Sequence, residues 1–199
     1  HLACEEGHIE MVRTLLQYGA NINLDWGRHE LTIAASNNNL EMMKFLLQIG
    51  SEIREQPVLH AIAENGSIEL LDFFLSLGFS VDNEHGYSAL ETASQQNHIA
   101  FVQALIHANA PVIGNTPNSP FADDENLPPL MFAITNGHIE MAEILLNNGS
   151  HFIDSLANLQ NPTYKLNVIA FLGGDNLIKV LTNTDNDIQI LNILTLLHE

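Results

Sequence analysis

Basic residues are scarce in this chain: Lys and Arg total 6 against 24 Asp and Glu, a formal charge of −18 with His neutral. A surface of that sign repels phosphate backbones and anionic bilayers, so nucleic acid and acidic membranes are poor partners. There is one cysteine, Cys4. It can close no intramolecular disulfide and supply no multi-cysteine zinc site, which fits a reducing compartment and a cytoplasmic location. Long apolar runs are missing too. The nearest, residues 188–197, is interrupted by Gln189, Asn192 and Thr195 and falls short of the roughly 18 residues a membrane span needs. No Gly-x-Ser-x-Gly, phosphate loop, dinucleotide fingerprint or kinase motif set occurs. The expectation is therefore a non-catalytic segment with no cofactor.

What the chain has in abundance is repetition. His1 to Asn23 reads HLACEEGHIEMVRTLLQYGANIN, and residues 130–152 read LMFAITNGHIEMAEILLNNGSHF. Residues 31–53, 59–81 and 90–112 fit the same frame without internal gaps. The aligned positions His1, Thr32, His60, Glu91 and Met131 lie 31, 28, 31 and 40 residues apart, so the variation falls in the connectors. A weaker sixth copy opens at Leu166, with Gly173 in the place of Gly7. Residues 188–197 read as a last helix that caps the stack or opens another copy.

Each copy contains two short helical patterns. The first carries small residues, Ala3 and Cys4, Ala34 and Ala35, Ala61 and Ala63, Ala93 and Ala133, where neighbouring helices must approach closely. Cys4 is read as an alanine-like core residue rather than a reactive thiol. Gly7, Gly66, Gly137 and Gly173 follow these helices, with Asn38 and Asn97 in the same place, as a left-handed C′ residue requires. The second helix repeats an apolar stripe, Met11, Val12, Leu15 and Leu16 in one copy and Met42, Met43, Leu46 and Leu47 in the next, all expected in the core.

Leu2-Ala3, Gly7-His8, Leu15-Leu16, Gly19-Ala20, Leu59-His60, Gly137-His138, Leu145-Leu146 and Pro129-Leu130 together make the chain resemble the ankyrin repeat family, whose period is about 33 residues. The resemblance implies an all-α solenoid of about five to six helix-turn-helix repeats with hairpin loops projecting between them. The expected organisation is residues 1–152 as five repeats, interrupted by a Pro-rich loop at 111–129, and 153–199 as a diverged sixth repeat with a C-terminal capping helix. The connector before His60, residues 52–56, looks too short for much of a hairpin.

The family resemblance further implies a protein-recognition scaffold that uses its concave face and its loop tips. Carried onto this chain, the paired positions before each inter-helix turn are Glu5-Glu6, Ser36-Asn37, Glu64-Asn65, Gln95-Gln96 and Thr135-Asn136. This acidic to polar ladder favours a protein partner with a basic or polar surface. The connectors add Trp26 and Arg28 in one tip, and His85 and Tyr87 in another. Trp and Arg are enriched among interface hot spots. Five of the ten histidines hold repeat positions and none makes a His-Glu-x-x-His motif, so no metal site is expected. The chain opens on His1 within a repeat and reads as part of a longer protein. Two alternatives follow: a substrate-recruiting region of a larger enzyme, or a bacterial effector acting in the host-cell cytoplasm, which the Asn- and Ile-rich composition would suit.

Overall fold

The computed structural model describes residues 1–23, 30–112, 129–150 and 169–171. Among them are ten helices, pairing as α1 (Leu2–Glu5) with α2 (Ile9–Gln17), α3 (Glu30–Ser36) with α4 (Leu40–Gln48), α5 (Glu55–Asn65) with α6 (Ile68–Ser76), α7 (Glu84–Gln95) with α8 (Ile99–His107), and α9 (Pro129–Thr135) with α10 (Ile139–Asn147). The chain forms two compact units, His1–Ser80 and Val81–Glu199. In the first, α1, α3 and α5 pack side by side, and each packs on its own second helix. In the second, α7 packs on α9, and α8 on α10.

The turn inside each pair is built the same way five times. His8 N–H donates to Ala3 O at 2.8 Å, Asn39 to Ala34 at 2.8 Å, Ser67 to Ile62 at 3.4 Å, His98 to Ala93 at 2.9 Å and His138 to Ala133 at 2.8 Å. The residue before each of these donors, Gly7, Asn38, Gly66, Asn97 or Gly137, has a positive φ of 72°, 52°, 63°, 57° and 73° respectively. This is the Schellman closure, in which a left-handed residue lets the next N–H reach back to a helix-end carbonyl. The expected exchange of Asn for Gly at Asn38 and Asn97 is therefore real. Asn109 extends the rule to the end of a second helix, with φ 66° where the other copies use glycine.

Every described second helix is nine residues long, whereas the first helices α1, α3, α5, α7 and α9 run from four to twelve. The stripe predicted for the second helices is buried at Met42, Met43 and Leu46, at Leu70, Leu71 and Phe74, at Phe101, Val102 and Leu105, and at Met141, Ala142, Leu145 and Leu146. The first copy departs from this. Val12 is buried, but Met11 and Leu15 are exposed, and Leu16, like Leu47 of the next copy, is only half-buried although all were expected in the core. The small residues of the first helices are buried as expected at Cys4, Ala34, Ala35, Ala61, Ala63, Ala93 and Ala133, whereas Ala3 is only half-buried. Desolvation pushes the Cys4 thiol above its ordinary pKa, which suppresses the reactive thiolate.

Two connectors differ from the sequence reading. Glu55 and Gln56 belong to α5, whose third residue is Pro57, a place in the first turn where no intrahelical N–H bond is lost. The link from α4 to α5 thus shrinks further. Among the described residues no strand forms, so the links before α5 and α7 are not hairpins. The connector residues 24–29, the long loop at 113–128 and most of the diverged sixth copy, including Gly173 and the segment 188–197, lie outside the described residues. Phe171, one of the apolar pair before the sixth turn, is buried within the chain itself.

Two positions in α7 generate tests. Gly86 sits against the backbone of the preceding link, and a Cβ there would lie 1.7 Å from Val81 O. Gly→Ala in a helix ordinarily stabilises by up to about 1 kcal/mol. Gly86→Ala should instead destabilise by about 2 kcal/mol or more, because backbone must shift to admit the methyl group, and a urea titration would show a lower midpoint. Glu91, half-buried, holds the aligned position of His1, Thr32 and His60, and desolvation raises its carboxyl to about 7. A carboxyl that binds its proton more tightly when folded stabilises the acid form. Its penalty is absent below the unfolded value of 4.5, grows as pH rises, and is complete above about 7. Glu91→Gln should leave the urea midpoint little changed at pH 4.5 and raise it at pH 8; an equal effect at both would refute the assignment.

Candidate functional site

The candidate site is built from the C-terminal ends of the first helices, since the two residues before the Schellman turn are exposed in the first four pairs, and Asn136 in the fifth. In the first unit Glu5, Glu6, Ser36, Asn37, Glu64 and Asn65 are all exposed. The two asparagines are not idle. Asn37 Nδ2 donates to Glu5 O of the preceding repeat at 2.8 Å. Asn65 Nδ2 donates to Ser36 O at 2.8 Å, to Ala35 O at 3.0 Å, and to Ala61 O of its own helix at 3.2 Å. Helix-end carbonyls lack intrahelical partners, and these amides supply them from the neighbouring repeat. Asn65, expected from the sequence to face a partner, thus spends its N–H groups inside the stack. Its repeat register with Asn37 was the one available sequence signal.

Glu64 lies one turn beyond His60, with Oε1 3.5 Å from His60 Nε2. The carboxylates of Glu5 and Glu6 sit at the end of α1 on the same register. A comparable link ties the connectors of this unit, where Asn23 Nδ2 donates to Gly50 O at 3.0 Å and Asn23 Oδ1 accepts from Glu52 N–H at 3.1 Å. Loops that carry recognition residues need such anchoring to a rigid scaffold.

In the second unit Gln95 and Gln96 are exposed at the end of α7. Asn136 Nδ2 caps its own helix by donating to Phe132 O at 2.9 Å. His85 and Tyr87 are placed differently from the expectation of a loop tip. Both are half-buried in the first two turns of α7, because Asn83 Oδ1 accepts from His85 N–H at 2.9 Å and Gly86 N–H at 3.2 Å and so starts the helix early. The sequence Asn83-Glu84-His85-Gly86 looks like a turn because Asn and Gly are turn residues, yet here Asn is an N-cap and Gly a close-packing residue. Trp26 and Arg28 lie outside the described residues.

No group of three or more His, Cys, Asp or Glu that could hold a metal ion occurs among the described residues. Nor is any helix there long and apolar enough to cross a membrane. The arrangement offers polar and acidic side chains on fixed helix ends, which suits recognition by contact rather than bond making.

Comparison with known proteins agrees with this architecture. The chain is 28% identical over 162 residues to the "Ankyrin repeat and KH domain-containing protein mask-1" of Caenorhabditis elegans, covering 76% of this chain and 6% of that protein. It is 27% identical over 188 residues to the "Probable E3 ubiquitin-protein ligase XBOS32" of Oryza sativa subsp. japonica, covering 77% of this chain and 38% of the relative. A third relative, human "Transient receptor potential cation channel subfamily A member 1", is 27% identical over 159 residues, 75% of this chain and 11% of the channel subunit. The chain thus spans well under half the length of these relatives. The family profile described as ankyrin repeats in three copies matches at residues 1–57, 31–118 and 59–155. With five Schellman-closed helix pairs in the same register and that match running over most of its length, the chain belongs to the ankyrin repeat family.

Proposed function

We propose that this chain is a protein-binding module that takes a partner with a basic or polar surface through the ends of its first helices and its connector tips. Ankyrin repeats in general are non-catalytic protein-interaction modules. The observation that supports the finer reading is the exposed acidic cluster of Glu5, Glu6 and Glu64 on helix ends of one unit, in a chain with 24 acidic and 6 basic residues. Complementary charge steers encounter and selects partners more than it adds raw affinity. Within the second unit Gln95 and Gln96 hold the same repeat positions at the end of α7, and His85 and Tyr87 present partly exposed rings at its start. Residues 1–152 act as the recognition array, and the sequence of 153–199 continues it as a diverged sixth copy with a last segment that caps the stack or opens another copy.

A second reading places the array as the substrate-recruiting region of a larger enzyme. It is favoured by the relative named as a ubiquitin-protein ligase, of which this chain matches 38%. An effector role in a host cell rests on composition alone. The lone, buried Cys4 is compatible with a cytoplasmic location, in the protein's own cell or in a host cell.

Two experiments test the binding surface. The chain and a Glu5→Lys, Glu6→Lys, Glu64→Lys variant serve as paired baits at low and high salt, with retained proteins identified by mass spectrometry. The expected result is a basic protein held by the parent at low salt, released by salt, and bound on the order of tenfold more weakly by the variant. A partner indifferent to both salt and charge reversal sinks the acidic-surface reading. With that partner in hand, Trp26→Ala combined with Arg28→Ala should weaken binding while moving the melting temperature by no more than about 4 °C. Unchanged affinity removes that connector from the interface, and a large loss of stability makes Trp26 a structural residue instead.

A further inference from the structure

Asn-Gly occurs three times in the chain, at Asn65-Gly66, Asn136-Gly137 and Asn148-Gly149. The pairing carries its own chemistry. Glycine has no Cβ to shield its backbone nitrogen, which can attack the preceding carboxamide and close a five-membered succinimide ring. All three asparagines are exposed, and each following glycine holds a positive φ at a helix end. Asn65 and Asn148 differ in what holds their side chains. Asn148 Nδ2 donates to Ile144 O of its own helix at 2.8 Å, and a Cβ on Gly149 would meet no atom of the described residues within 4 Å. Fraying of one helix end releases that amide. Asn65 Nδ2 lies 2.8 Å from Ser36 O and 3.0 Å from Ala35 O on α3, and 3.2 Å from Ala61 O on α5. Its release requires α3 and α5 to part. Gly66 N–H is held as well, donating to Ala63 O at 3.2 Å.

We propose that Asn65 is a gated deamidation site, closed while α3 and α5 are packed together and open when that boundary parts, whose conversion weakens the boundary that protected it. The reaction needs only water and its hydroxide. Gly66 N gives its proton to hydroxide and bonds to Asn65 Cγ; the Cγ–Nδ2 bond breaks and Nδ2 leaves as ammonia. Water then opens the ring. Attack at Cγ breaks the new bond and yields aspartate, whereas attack at the Asn65 backbone carbonyl carbon breaks the original peptide bond and yields isoaspartate. One water is taken up and one ammonia released, with no change of oxidation state. Either product reverses the polarity of the contact. A carboxylate has no N–H to give, so Ala35 O and Ser36 O lose a donor and face an anion in its place. The added charge falls next to Glu64, and isoaspartate lengthens the backbone where Ser67 N–H reaches back to Ile62 O. At Asn148 the same conversion removes a bond within one helix end.

The test follows the parent chain in mildly alkaline buffer, with deamidation read from peptide masses and isoaspartate resolved by chromatography. Asn65 and Asn148 make a matched pair, since both are followed by Gly-Ser. An amide that reacts only from an opened form reports how often its own region opens. In the folded chain Asn148 should therefore convert about tenfold or more faster than Asn65, and in unfolding urea the two rates should converge to within about twofold. The product is tested by substitution. Asn65→Asp should lower the melting temperature by about 4 °C or more at pH 8, and Asn148→Asp by less than half as much. A carboxyl that faces carbonyl oxygens keeps its proton more tightly when folded, so the Asn65→Asp deficit should shrink near pH 4, where the protonated group regains a donor. Equal rates at Asn65 and Asn148 in the folded chain overturn the gate, whatever the variants do. An Asn65→Asp chain that melts like the parent at pH 8 overturns the consequence. Neither readout involves a partner, so both stand apart from the binding surface proposed above.

Discussion

No described helix of this protein can stand alone. The described helices span four to twelve residues, and helices shorter than about 12 to 15 residues are marginal in water even with favourable composition. Everything else follows from the need to bury one side of each helix on a neighbour and the other side on the next repeat. The Schellman closures turn the chain within a few residues, so that both helices of a pair present their apolar stripes together. Alanines at Ala34, Ala35, Ala61 and Ala63 let the first helices approach closely enough for those stripes to interlock. A constant second helix of nine residues keeps the stripes in phase from copy to copy, and the connectors absorb the irregular spacing. Stability is then a sum over pairs and over the surfaces between pairs.

The polar groups obey the same constraint. Turning a chain so often leaves many helix-end carbonyls without intrahelical partners. Asn37 and Asn65 satisfy them across the repeat boundary, and Asn136 within its own helix. A neutral amide is suited to this, because it donates up to two hydrogen bonds without adding a charge that would need desolvation when the repeats close. Asn23 does similar work between connectors, using its amide N–H and its oxygen at once. In each case a residue type common on recognition surfaces is committed first to holding the scaffold.

How much of this could be read from the sequence depended on whether a feature was local or relational. The left-handed residues were legible, including Asn38 and Asn97, because backbone sterics leave few residue types for that conformation. The buried stripes of α4 and α6 were legible from helical period alone. Met11 and Leu15 were not, since periodicity reports which face is apolar and says nothing about whether a neighbour covers it. His85 and Tyr87 were misplaced because Asn and Gly serve turns and helix starts alike, and the N–H groups of His85 and Gly86 donating to Asn83 Oδ1 decide between them. The role of Asn65 was hidden for the same reason: its acceptors lie about thirty residues away in sequence.

The acidic surface raises a question of compatibility, since 24 carboxylate side chains against 6 basic ones repel one another in the folded state. The arrangement in the first unit eases it. Glu5 and Glu6 end α1, Ser36 and Asn37 end α3, and Glu64 ends α5, so that a neutral pair separates the charged ones. Helices in contact lie about 8 to 10 Å apart, which puts the carboxylates of α1 and α5 roughly 20 Å from each other. That exceeds the Debye length of about 8 Å at physiological ionic strength, so their mutual repulsion is largely screened. A partner's basic side chain coming within a few ångströms of any one carboxylate is screened far less. The ladder can therefore hold charge for recognition at little cost to the stack, provided that the boundary-crossing positions stay neutral, as Asn37 and Asn65 are.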